Sequence, residues 1–379
     1  MGERVIPNRL GLKAGEWVEV RSKSEVLATL DKNGRLDELP FMPQMLSYCG
    51  QKLRVRKRAH KVCDTVNGTG GRRLSNAVIL EDVRCDGQAF GGCEMKCTII
   101  WKEAWLKRVD RLETISGLTQ NSGLLKSTPV HESAGCSEAD IWAGTRLKSE
   151  GMGEAEPLYV CQAVQLPHAT RPLSRWALWQ YVEDYVSGNA RISEILSSLL
   201  ILGFHDLEGS GLGFGSALRW AYNTFQKISG GMPYPFCRGL VPAKSRTPSV
   251  NLNIQVGELV QIKPYDKILE TVDKKLNNRG MTFHAEMAMY CGKTFRVTQR
   301  LRKMMNEKTG QLMVLKNECL VLEGLECVGI YAKPIYCPRA SYPYWREIWL
   351  ERVDISPGQS AAGLTIGCPT ESDNSRRKG

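Results

Sequence analysis

Three thiols crowd one short stretch. Residues 84–97 read RCDGQAFGGCEMKC, with Cys85, Cys93 and Cys97 interleaved with glycines at 87, 91 and 92. Just upstream, HKVCD adds His60 and Cys63. Four cysteines suit tetrahedral thiolate coordination of zinc or iron, or an iron–sulfur cluster. That chemistry needs thiolates, which the basic neighbours Arg84 and Lys96 favour. The glycines would let the backbone wrap closely around an ion. His60 would either replace one cysteine or stand outside the set and orient a ligand. The spacing contains no CxxC pair, so it is neither a zinc ribbon nor a simple ferredoxin loop. Two other readings stand beside the metal: small buried hydrophobes with one adventitious disulfide, and redox-active thiols.

These residues sit inside a repeat. Residues 15–50 begin GEWVEVRSKSEVLATLD and end MLSYCG; residues 257–292 begin GELVQIKPYDKILETVD and end MAMYCG, and the two align without a gap. LRVRKR follows the first copy and FRVTQR the second. Each then closes on a related signature, WKEAWLKRVD at 101–110 and WREIWLERVD at 345–354. A match of this length predicts two copies of one module. EWVEVR alternates apolar and polar residues as a half-buried strand does, and KLRVRK, AVILEDV and TIIWKEAWLKRV predict further strands separated by turn residues. SEVLATLD is more helical.

The fold class expected is therefore α+β: two homologous, mainly-β modules of SH3-like barrel type flanking a helical segment. Residues 1–111 form the cysteine-rich first module, 112–157 a linker rich in Ser, Gly, Thr and Glu, and 158–232 the helical middle. A basic, Pro-containing linker spans 233–256, the second module 257–355, and a disordered tail 356–379.

The second module carries Cys319, Cys327 and Cys337. Cys327 aligns with Cys85, and Cys337 with Cys93 or Cys97. Met305 stands opposite Cys63 and Arg302 opposite His60, so this copy is the poorer site. Cys49 and Cys291 precede the turn glycine of YCG in both copies and read as buried packing residues. Cys161 with His168 would make an activated nucleophile only if the two met in space. Cys237 reads as structural. The glycine-rich GSGLGFG, residues 209–215, lacks the phosphate-loop lysine and reads as a loop between helices. The basic runs RVRKRAHK and RLRKMMNEK read mainly as solvated strand faces, with phosphate contact as the lesser reading.

The chain has 379 residues and a formal net charge of +11, which permits an acidic partner without demanding one. No apolar leader opens it, and the longest apolar run, residues 195–204, is well short of the ~20 residues that cross a bilayer. A cytoplasmic protein without a membrane span is expected. In a reducing compartment thirteen cysteines, an odd number, are ligands, reactive thiols or core residues before they are disulfides.

GEWVEVRS, LATLD, LPFMPQM, YCG, RAHKVCD, RCDG, GGC and WKEAWLKRV, together with CPRASYPYWREIWLERV, resemble an uncharacterised bacterial family of cysteine-rich, double SH3-like-barrel proteins. Some of its members stand near natural-product or surface-polysaccharide biosynthesis genes. The resemblance covers most of the chain outside the linker and tail and carries no established reaction. The family pattern holds a further cysteine near Pro334, where this chain has none. The cysteine set and this resemblance together lead to the expectation of a metal- or iron–sulfur-binding accessory or tailoring protein in a bacterial biosynthetic pathway, working with a protein partner or pathway enzyme. The alternative is a non-enzymatic binding module in which structural zinc holds barrels that contact protein or, less favoured, nucleic acid.

Overall fold

The computed structural model describes residues 9–68, 70–109, 135–147, 157–208, 215–229, 234–332 and 335–353. The chain divides into two compact units. Unit 1 comprises Met1–Ser198, Lys303–Val314 and Val328–Ser341; unit 2 comprises Leu199–Arg302, Leu315–Cys327 and Tyr342–Gly379. The architecture is mixed α+β, with curled antiparallel sheets.

Unit 1 contains β1 (Trp17–Val20), β2 (Arg35–Leu36), β3 (Leu39–Pro40), β4 (Lys52–Arg58), β5 (Lys61–Cys63), β6 (Gly71–Arg73), β7 (Ala77–Arg84), β8 (Thr98–Lys102), β9 (Leu106–Arg108) and β10 (Arg171–Leu173). One antiparallel sheet runs β8-β7-β4-β1-β9, and a second runs β10-β6-β5. In β1 the alternation works as read: Val18 and Val20 enter the core while Trp17 faces out. β7 instead begins with four consecutive buried residues, Ala77–Leu80, because both of its faces are covered. The register between β4 and β7 shifts between Val55 and Lys57, a bulge that adds twist where the sheet curls.

Unit 2 contains β11 (Leu259–Ile262), β12 (Asn277–Asn278), β13 (Met281–Thr282), β14 (Thr294–Met305), β15 (Leu312–Leu322) and β16 (Leu350–Arg352). Its main sheet runs β15-β14-β11-β16 and so repeats the order β7-β4-β1-β9. The outer end of the β14–β15 hairpin belongs to unit 1.

The repeat extends to single hydrogen bonds. Glu103 is fully buried, and its carboxylate accepts from the backbone N–H groups of Leu10, Gly11 and Leu12 and from Arg58 at 2.9 Å. Glu347 does the same for Leu252, Asn253 and Ile254, with Arg300 at 3.3 Å. Each carboxylate thus tethers the segment leading into its first strand. The Trp105 indole donates to Thr29 at 3.1 Å, and Trp349 to Thr271 at 3.0 Å. Phe41 stands edge-on to Trp105 at 5.1 Å, and Phe283 to Trp349 at 5.3 Å. The predicted SEVLATLD helix is the short Lys23–Leu27, closed by a capping box between Ser22 and Glu25.

Within 112–157, the helix Glu138–Ala143 forms behind a Ser137 cap and buries Ile141 in the unit 1 core. The remainder of that linker, residues 209–214 of the glycine-rich stretch, Pro334 and the 356–379 tail lie outside the described residues. The helical middle contains Trp179–Val186, Ile192–Glu208 and Gly215–Ser229. Trp179–Val186 inverts the usual amphipathic arrangement: Gln180 and Asp184 are its buried residues, while Trp179, Val182 and Tyr185 are exposed. No described helix is long and apolar enough to cross a membrane.

Glu103→Gln keeps the shape of the tether but removes the charge from four hydrogen bonds. It is expected to cost about 3 kcal/mol in urea unfolding followed by tryptophan fluorescence, because buried donors lose a charged acceptor. An unchanged midpoint would show that the tether does not support the fold.

Candidate functional site

The loop bearing Cys85, Cys93 and Cys97 leaves β7 and returns on β8. The Cys85 N–H donates to the Cys97 carbonyl at 2.8 Å, closing the neck of the loop. Inside it, the N–H groups of Phe90 and Gly92 both donate to the Gly87 carbonyl. Gly87 has φ +74°, and a Cβ there would lie 1.8 Å from the Cys93 carbonyl oxygen, so only glycine allows this turn. Phe90 is buried and packs edge-on to Tyr159, which anchors the loop to the core.

The loop after Gly329 has the same construction. The Tyr336 N–H donates to the Gly329 carbonyl at 2.7 Å, Gly329 has φ +75°, and a Cβ there would lie 2.7 Å from the Cys337 nitrogen. The residue before each cysteine closes the same turn, so Cys337 corresponds to Cys93 and not to Cys97.

These two loops engage reciprocally with the ends of β5 and β14. The Cys63 N–H donates to Cys337 Sγ at 3.2 Å. At the corresponding place in the other copy, the Met305 N–H faces Cys93 Sγ. Thr65 and Glu307 occupy corresponding positions in the two copies and hydrogen-bond to each other. Residues of both copies therefore meet inside unit 1, and the backbone-to-sulfur contact recurs with the roles exchanged, as about a local pseudo-twofold. On one side the matched pair is Cys63–Cys337; on the other it is Met305–Cys93.

Arg339 joins the two sides. It is buried, pairs with Glu307 at 3.0 Å and donates to Thr65 at 2.9 Å. Its carbonyl accepts from the Thr98 hydroxyl. The guanidinium bears on both Cys97 and Cys337. With Arg339 in its wall, one mainly apolar cavity of about 30 Å³ is lined by Cys85, Cys93, Cys97 and Cys161 together with Met42, Met95 and Met305. Cys161 enters from the start of the helix Gln162–Ala169, where the N–H groups of Ala163 and Val164 face its sulfur. Gln162 fixes that helix by exchanging two hydrogen bonds with the Ile100 backbone, at 2.8 and 2.9 Å, and donating a third to the Pro40 carbonyl.

Burial dominates the acidity of these thiols. It pushes Cys85 up to about 11 and Cys161 up to about 12, and it raises Cys93 and Cys97 as well. Cys337 moves the other way. Its thiolate accepts hydrogen bonds from the Cys63 thiol and from the backbone of Arg339, beside the guanidinium, and these outweigh its burial.

Of the residues singled out by the sequence, Cys63, Cys85, Cys93 and Cys97 share one region of unit 1, joined by Cys337 and by Cys161. Cys161 and Arg339 were not read as members of that set; a Cys at a helix start was the one signal available for the former. His168, two turns further along the same helix, is exposed and does not meet Cys161. Cys319 and Cys327 lie in unit 2, the former fully buried in the sheet. Among the described residues, no group of three or more His, Cys, Asp or Glu side chains is placed to hold a metal ion. His60 joins a different network, with its Nε2 3.2 Å from the Gln180 carbonyl and 3.3 Å from Asp184, whose other oxygen pairs with buried Lys61. That network explains the inverted helix Trp179–Val186: its polar residues turn inward to meet His60 and Lys61. Compared with models of known families, with curated proteins and with solved structures, the chain matches none.

Burial, followed by the Lys61 charge, pushes His60 down to about 3. The unfolded chain's histidine titrates near 6.5, so below that pH the unfolded state takes up a proton that the folded state refuses. Stability therefore falls with pH through this window. Asp184, pushed up to about 6 mainly by burial, acts in the opposite sense as the pH falls toward and through 6, and offsets part of the His60 loss. From these two groups the wild type is expected to lose about 0.4 kcal/mol between pH 7.5 and 6. His60→Gln should flatten that slope in urea titrations at the two pH values, and an equal slope would exclude His60 as its source.

Proposed function

We propose that unit 1 binds an iron–sulfur cluster through Cys85, Cys93, Cys97 and Cys161. One observation carries this reading: four thiols from two separate stretches of chain line one small, mainly apolar cavity. A single zinc draws every sulfur to about 2.3 Å from one centre. A cluster spreads its thiolates over several irons. Cys85, Cys93 and Cys97 are held by the Gly87 turn, and Cys161 by the Gln162 hydrogen bonds, so the donors sit on braced elements. The apolar walls and the three methionines would keep water away from the group. When bound, a cluster would supply one-electron chemistry or a structural cross-link.

The cavity of about 30 Å³ is an order of magnitude below the roughly 300–1,000 Å³ that organic ligands occupy, and taking up a cluster requires its lining side chains to move outward. This favours electron transfer or structural support over catalysis on a metabolite at this point. It fits a cytoplasmic accessory or tailoring protein that works beside a pathway enzyme in bacterial biosynthesis, as the family resemblance implies, with each curled sheet built as an SH3-like barrel. Because burial keeps the free thiols protonated, loading must release protons and should strengthen as pH rises.

The test is anaerobic purification with iron, zinc and acid-labile sulfide measured per chain, alongside a visible spectrum. Iron and sulfide are expected in the wild type, lost in Cys93→Ser and Cys161→Ser, and retained in Cys63→Ser. Zinc without sulfide would replace the cluster with a structural zinc module. No metal in fresh protein would return these cysteines to core packing.

A further inference from the structure

Cys63 and Cys337 are set apart from the cavity thiols. They are 274 residues apart in sequence, yet the Cys63 N–H donates to Cys337 Sγ at 3.2 Å and the two thiols hydrogen-bond to each other. Cys63 ends β5 and is half-buried, whereas Cys337 is 4% exposed. The sulfur of Cys337 lies among groups that favour an anion: the backbone N–H groups of Cys63 and Arg339, and the Arg339 guanidinium. That guanidinium is fixed by Glu307 at 3.0 Å and Thr65 at 2.9 Å, so the charge stays at the sulfur. The corresponding pair across the pseudo-twofold is Met305 and Cys93, which has one thiol and serves as an internal control.

We propose that Cys63 and Cys337 form a redox-active dithiol that closes to a reversible disulfide by exchange with a low-molecular-weight disulfide. Cys63, the more accessible thiol, loses its proton and attacks one sulfur of the small disulfide RSSR. The S–S bond breaks, one RS⁻ leaves and takes up a proton, and Cys63 carries the mixed disulfide. The Cys337 thiolate then attacks Cys63 Sγ, forming the Cys63–Cys337 bond and releasing the second RS⁻, which takes up a proton from water, to which Cys337 had already lost its own. The two protein thiols are oxidised by two electrons, and RSSR is reduced to two RSH. Cys337 is the resolving thiol, and Arg339 acts as a positioning residue that keeps it as thiolate.

The full-length protein is equilibrated with mixtures of oxidised and reduced glutathione, quenched with N-ethylmaleimide, digested and mapped by mass spectrometry. The expected result is a Cys63–Cys337 linked peptide that rises with the oxidised fraction and disappears in dithiothreitol. In Cys337→Ser, Cys63 should accumulate bound to glutathione. Arg339→Met, which places at this position the residue found at Met95, should slow closure about tenfold by lowering the thiolate fraction, with the slowing relieved at higher pH. Two results would overturn the proposal: both cysteines remaining open to maleimide in fully oxidised buffer, or wild-type Cys63 stopping at the glutathione adduct. The peptide map reports linkage and not metal content, so its failure leaves the cluster reading of the other four thiols standing, and the reverse also holds.

Discussion

A guanidinium withdrawn from water requires a carboxylate beside it, because desolvating an unpaired charge costs several kcal/mol. Arg339 is buried, and its carboxylate is Glu307. This pairing holds the loop after Gly329 against Thr65 and the end of β5, and it thereby sets Cys337 beside Cys63. The Arg339 backbone extends the constraint: its carbonyl takes the Thr98 hydroxyl, one residue past Cys97. One ion pair thus determines both which cysteine meets Cys63 and what lies behind the cavity lined by the other four thiols.

The repeat supplies the frame on which this rests. In each copy a buried carboxylate gathers three backbone N–H groups and an arginine, and a Trp–Thr hydrogen bond and a Phe–Trp edge contact recur at nearly the same distances. Equal frames present equal turns, and in unit 1 the turns of the two copies meet. Where corresponding positions carry different residues, the chemistry diverges: Cys63 against Met305, Met95 against Arg339. A pseudo-symmetric scaffold therefore holds one dithiol and one methionine–cysteine contact at matched places, and the anion-favouring guanidinium lies on the dithiol side.

Much of the frame was legible before any coordinates. The alternation in EWVEVR is β1, AVILEDV lies within β7, and SEVLATLD contains a capped helix, because each of these signals depends on residues a few places apart. The conspicuous Glu of WKEAW and WREIW was visible only as part of a signature; its role as an acceptor for a segment about ninety residues away was not. His60 was misleading for the same reason. Its neighbours in sequence are thiols, but its neighbours in space are Gln180, Asp184 and Lys61, and burial keeps it neutral.

By itself the sequence determined that one pattern of residues occurs twice, where many of its strands run, and that thiols concentrate in the first occurrence. Periodicity and turn residues act through local sterics, and repetition needs no geometry to be seen. Only the tertiary structure decided that Cys337 corresponds to Cys93 and meets Cys63, that Cys161 joins the cavity while His60 leaves it, and that Cys319 and Cys327 lie in the other unit. Those outcomes depend on contacts spanning up to 274 residues, selected by which charges and backbone groups must be satisfied when the chain closes.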